Sequence, residues 1–321
     1  MAHKLILDLD TGIDDALAIA YALGSPEVDL IAITWTYGNV LVEQGVRNAL
    51  AVTELLGHPE VEVVAGPGHA LEKDSFEVME ISQFIHGRNG IGDVEIPDAQ
   101  RGAGDQCAVE LLIDAVKTYG KDLVYVPTGP MTTIATALER APEIADQIGK
   151  VVLMGGALTV PGNVNAWTEA NINQDPDAAN LLFRSPTPVT MIGLDVTLQT
   201  LLTYEHTAQW REMGTPAATF LADMTDYYIK AYETTAPHLG GCGLHDPLAV
   251  GVAIDPTLVT TLPIHMSVDV EGPTRGRTIG NPERIGAPNP TTEVAVGVDV
   301  DRFLEEFMAR VGAAARKETV K

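Results

Sequence analysis

Four aspartates, Asp8, Asp10, Asp14 and Asp15, fall within eight positions of the stretch "LILDLDTGIDDALAIAYAL" at residues 5–23. Asp8 and Asp10 are two apart and share one face of a strand. After the flexible Thr11-Gly12 turn, Asp14 and Asp15 fall in the first turn of a helix, so all four carboxylates can converge. A helix N-terminus favours an acid by only about 0.3–1 kcal/mol. Two carboxylates about 4 Å apart repel by about 4 kcal/mol at an effective dielectric near 20, so the dipole cannot offset the repulsion of a whole cluster. Protonation or a bound cation must supply the rest, and an all-oxygen ligand set suits Ca²⁺ or Mg²⁺ rather than zinc.

Other segments offer further chemistry. His86 lies in a glycine-rich loop, "IHGRNGIGD", where surface decoration is its ordinary role. Thr128 follows an apolar run in "YVPTGPMTT", and its carbonyl could ligate a hard cation or simply close a turn. Beyond "VVLMGGA" a long loop carries Asn163, Glu169 and Asn171, amides and a carboxylate suited to sugar hydroxyls. His245 stands beside Asp246 at the start of an apolar helix, adding an imidazole and a fifth carboxylate. "DLDTG" also looks like the phosphotransfer loop of haloacid-dehalogenase-type phosphatases, with "GDVEIPD" as a second acidic motif. That second motif follows a polar loop instead of ending a late strand, and no lysine sits at an intervening strand end.

Elements of alternating type must position these residues. Leu5–Leu9, Leu30–Thr36, Leu123–Pro127, Val151–Met154, Val189–Ile192 and His265–Val270 read as strands. Asp15–Leu23, Val42–Leu56, Ala108–Tyr119, Met131–Ala141 and Pro216–Tyr232 read as helices. The rhythm predicts one α/β domain over residues 1–321, with a mostly parallel central sheet flanked by helices and a Rossmann-like core. Ligands of such sheets bind beyond the carboxyl ends of the strands, where most of the polar clusters fall. Loop-rich stretches at 66–105 and 235–245 are candidate flaps over the site.

With 45% hydrophobic and 20% charged residues, the chain has the composition of a globular protein. Its net charge of −24 argues against nucleic acid and anionic membranes as partners. Two cysteines, no signal-peptide pattern and no apolar span point to a cytoplasmic protein acting on a small molecule.

The ordered set "DLDTGIDDA", "YGNV", "IHGRNGIGD", "PTGPMT", "MGGA" and "HDPLAV" resembles the inosine-uridine-type nucleoside hydrolases over nearly the whole chain. That resemblance implies Ca²⁺-dependent hydrolysis of the N-glycosidic bond of ribonucleosides, purine or pyrimidine, by a homodimer or homotetramer. It implies Asp10, Asp15, the Thr128 carbonyl and Asp246 as metal ligands. Asp14, Asn39, Met154, Asn163, Glu169 and Asn171 would hold the ribose, and His86 would line the pocket near the base. Asp10 would be the general base and His245 the acid that protonates the departing base. A non-catalytic Ca²⁺- or ribose-binding homologue is the alternative within the same resemblance. One departure concerns the pocket: Ala170 stands before Asn171 where the family carries a bulky aromatic, which leaves base preference open.

Overall fold

The computed structural model describes residues 3–316. Its centre is an eight-stranded sheet made of β1 (His3–Leu9), β2 (Val28–Trp35), β3 (Glu62–Ala65), β4 (Leu123–Pro127), β5 (Lys150–Met154), β6 (Val189–Ile192), β7 (Val259–Ile264) and β8 (Thr292–Val298). The strand order is β3-β2-β1-β4-β5-β6-β8-β7, parallel throughout except for β7, which pairs antiparallel with β8. From β1 the chain winds outward to β3 and then crosses back to β4. The crevice between β1 and β4 is therefore the topological switch point, the place where such sheets bind ligands.

Both faces of the sheet are covered, which is why its inner strands are apolar on both sides. On β1, Leu5, Leu7 and Leu9 belong to one core, packed with the helices Ile13–Leu23, Pro216–Thr235, His245–Ile254 and Val300–Ala315. Ile6 points the other way, into a second core with the helices Ala108–Tyr119, Thr132–Arg140 and Pro176–Arg184. Asp8 and Asp10 follow Ile6 in this alternation, so a sequence period of two turns the acids away from the first core.

The expected α/β architecture holds, with differences at its edges. His265–Val270 does not join the sheet; Met266–Val268 pairs with Thr278–Gly280 in a separate ribbon. The edge strands β3 and β7, the strand β8 and the helix Val300–Ala315 were not anticipated. Pro263 within β7 is tolerated because an edge strand needs only one ladder of hydrogen bonds. Stretch 66–105 contains the helix Glu80–His86, and 235–245 contains the turn Pro237–Leu239 and the short strand Cys242–Gly243. Both cysteines are free thiols, and among the described residues no helix is long and apolar enough to cross a membrane.

Candidate active site

Asp10 lies one residue beyond β1 and Thr128 one residue beyond β4, on either side of the switch-point crevice. Asp14 and Asp15 occupy the first turn of the helix Ile13–Leu23, and Asp246 the first turn of His245–Ile254. One oxygen from each of Asp14, Asp15 and Asp246 lies within 4.8 Å of the others, and all three side chains are buried. Asp10 adjoins this trio through Asp15.

The anchoring of each acid differs. Asp15 accepts the Gly12 N–H on one oxygen and the Thr128 hydroxyl on the other, 2.7 Å away. Asp10 accepts the Asn39 side-chain amide at 3.0 Å on Oδ1, whereas its buried Oδ2 has no partner. Asp14 accepts the Tyr228 hydroxyl at 3.3 Å on Oδ2, and its Oδ1 is likewise buried and unpartnered. Glycine backbones press on Asp10 from two sides. A Cβ at Gly38 would come within 1.8 Å of Asp10 Oδ2, and one at Gly129 within 2.7 Å of the Asp10 Cβ.

Crowding shows in the acidities. Burial first, and then the charge of Asp15, raises Asp10 well above the ordinary carboxylate range and Asp14 to about 8. Asp246 is raised the same way, by burial and then by Asp14. Among the described residues the only cationic candidate in ion-pair range is His86, whose Nδ1 is 3.9 Å from Asp14 Oδ1. That ring is no cation, because burial and then His245 push its pKa down to about 3. Its Nδ1 instead accepts the Ile13 N–H at 3.1 Å, which leaves the proton on Nε2. The orphaned oxygens, the all-oxygen donors and the missing counter-charge all fit a hard divalent cation.

Asp8 does not converge with the other four. It lies one layer below, where the Thr34 and Thr133 hydroxyls bond its Oδ1, and burial raises it to about 6. The strand alternation that aligns Asp8 with Asp10 also sinks it between β2 and the helix Thr132–Arg140.

Asn171 bridges the ends of β4 and β5, its amide donating to the Thr128 carbonyl at 2.6 Å and the Met154 carbonyl at 3.2 Å. Glu169 caps the helix Ala170–Gln174: its oxygens accept the N–H groups of Gly156, Asn171 and Ile172. Asn163 is exposed and accepts the Ala170 N–H at 3.0 Å. His245 is buried and neutral, held at about 4 by desolvation.

Residues 5–305 match the family described as inosine-uridine preferring nucleoside hydrolase. The chain belongs to that family. It is 39% identical to the inosine-uridine preferring nucleoside hydrolase of Leishmania major, across 94% of this chain and 95% of the relative. It is 33% identical to the pyrimidine-specific ribonucleoside hydrolase RihA of Escherichia fergusonii, across 97% and 99% respectively. A solved purine-preferring ribonucleoside hydrolase from Gardnerella vaginalis is 75% identical and superposes with a TM-score of 0.97, covering 98% of this chain and 99% of that one. The protein is thus a nucleoside hydrolase, an N-glycosyl hydrolase of ribonucleosides. This hydrolase gathers Asp10, Asp14, Asp15, Thr128 and Asp246 at one crevice, with Asn39, Met154, His86 and Asn171 bonded to its walls.

Three residues of the site escaped the sequence reading. Tyr228 reaches Asp14, and Tyr232 and Thr197 hold the two ring nitrogens of His245, each at 2.7 Å. Tyr228 and Tyr232 are spaced i, i+4 on one helix, a periodicity that could have paired them on one face.

Proposed function

We propose that the protein is a Ca²⁺-dependent ribonucleoside hydrolase that prefers purine ribosides and releases free base and ribose. The observation that carries the chemistry is the pair of buried, unpartnered carboxylate oxygens, Asp10 Oδ2 and Asp14 Oδ1, within an otherwise anchored acidic cluster. The purine preference rests on the 75% identity to the purine-preferring enzyme.

Asp10, Asp15, the Thr128 carbonyl and Asp246 would hold the cation. When bound, it supplies the positive charge that anchors vicinal ribose hydroxyls and acidifies a neighbouring water. Asp10 takes the proton of the attacking water on its free Oδ2, while Asn39 fixes Oδ1 and so the plane of the carboxylate. Asp14 and Asn171 hold ribose hydroxyls, and the surrounding negative charge favours the oxocarbenium-like sugar as the bond to the base breaks. His86 presents its Nε2–H toward the base. His245, neutral in the free site, would act from its imidazolium form: it gives one proton to the departing nitrogen, directly or through Tyr232 Oη at 2.7 Å from its Nε2, returns to the neutral ring and regains the proton from solvent.

Release of reducing sugar tests this reading. Inosine should be hydrolysed faster than uridine, chelation should abolish turnover, and added calcium should restore it. Elemental analysis of protein purified without added metal should find calcium, and Asp15→Ala should lose it. A metal-free protein with full turnover overturns the cation; equal rates on the two ribosides overturn the preference.

The role of His245 has its own test. A general acid contributes about 10²- to 10⁴-fold where the leaving group needs a proton. His245→Ala should therefore be crippled on inosine and close to wild type on nitrophenyl riboside, whose leaving group departs unprotonated. A histidine that only starts its helix would cost both substrates equally.

A further inference from the structure

We propose that Thr197 is a positioning residue for this reaction: its hydroxyl fixes the ring orientation of His245. The inference rests on the reading of His245 as the acid and extends it to a residue from a separate segment, the short helix Leu194–Thr197 that follows β6.

Thr197 is fully buried, and its side-chain oxygen lies 2.7 Å from His245 Nδ1, the one partner the structure gives that hydroxyl. A buried hydroxyl costs stability unless it is bonded, and valine would fill the same volume without that cost. The hydroxyl therefore serves the histidine rather than the packing. Thr197 Oγ1 holds Nδ1 and Tyr232 Oη holds Nε2; each hydroxyl can donate or accept, so the pair fixes the ring plane whether the imidazole is neutral or charged. Tyr228, four residues before Tyr232 on the same helix, donates to Asp14, and the two tyrosine rings pack edge to face at 5.0 Å. Thr197 and Tyr232 thus hold His245 by its two ring nitrogens, from two separate segments.

The ring has little freedom otherwise. It lies against the backbone of Gly243, where a Cβ would come within 2.6 Å of Nε2. A half-turn about the Cβ–Cγ bond would exchange Nδ1 for a carbon opposite Thr197 and leave the buried hydroxyl without a partner. Packing at Gly243 limits the tilt of the ring; Thr197 selects between its two faces.

Thr197→Val and Thr197→Ser separate positioning from packing. Loss of the group that orients a functional histidine typically costs about 10- to 100-fold. Thr197→Val should lose that much in kcat on inosine and far less on nitrophenyl riboside, with KM for both little changed. Thr197→Ser, which keeps the hydroxyl, should recover most of the loss. Imidazole ¹⁵N shifts of His245 should show a single ring environment in wild type and in the serine variant, and a second or averaged environment in the valine variant. These shifts report on the proposal independently of turnover. His245→Ala measured alongside tells the two readings apart. Equal losses on both substrates in His245→Ala reject the acid and Thr197 with it. A contrast in His245→Ala with none in Thr197→Val, or a single wild-type-like ring environment in the valine variant, rejects Thr197 alone.

Discussion

Asp10→Asn should lose about 10²- to 10⁴-fold in kcat on inosine, the range a general base contributes. The two oxygens of Asp10 have separate tasks in the structure. Oδ1 accepts the Asn39 amide at 3.0 Å, and Oδ2 is buried with no protein partner. An asparagine can keep the first contact through its own carbonyl oxygen, but it puts an NH₂ where the proton has to arrive. The shape of the site survives while its basic atom does not. Asp15, Thr128 and Asp246 remain, so the variant should retain part of its calcium by elemental analysis. Near-normal kcat in a calcium-loaded Asp10→Asn protein would falsify the assignment of the base.

Discrimination against 2′-deoxyribosides should be of similar size. A site built to bond a hydroxyl rejects the analogue lacking it by about 10⁴-fold or more, because buried polar partners are left unpaired. Here Asn171 has committed its amide nitrogen to the carbonyls of Thr128 and Met154, which leaves its oxygen free for the sugar hydroxyl proposed to bind there. Asp14 Oδ1 is buried and without a partner, a second acceptor waiting for a donor. The kcat/KM for inosine should therefore exceed that for 2′-deoxyinosine by about four orders of magnitude. Comparable values would mean that neither residue grips the 2′ position.

Much of this was legible in the sequence because the strands that carry the site are buried on both faces and read as apolar runs. β1, β4, β5 and β6 end at Leu9, Pro127, Met154 and Ile192, where the sequence places their ends. Edge elements gave a weaker signal: β7 alternates between half-buried and exposed residues and contains a proline, so its composition resembles a loop. The carboxylates of the site were legible for a local reason, since Asp10, Asp14 and Asp15 are close along the chain. Asp8 misled for the same reason, because proximity along a strand does not distinguish the layer beneath a site from the site. Thr197 and Tyr232 could not be read, since they meet His245 only through the packing of segments 48 and 13 residues away. Glu169, expected from its type to meet the ribose, accepts three backbone N–H groups on its two oxygens. Those bonds also set the conformation of the loop that delivers Asn171.

The narrow fit of Asp10 between Gly38 and Gly129 also bears on how this protein can tolerate change. Neither glycine has a side chain to offer the reaction, yet one added methyl group at position 38 would overlap Asp10 Oδ2, the atom proposed to accept the proton. A lineage could keep every carboxylate, amide and imidazole of the site and still forfeit its geometry through a single glycine-to-alanine drift. A mutational scan will therefore mark these two positions as intolerant as the acids themselves, and the reason will be volume. In this crevice the absence of atoms matters as much as their presence.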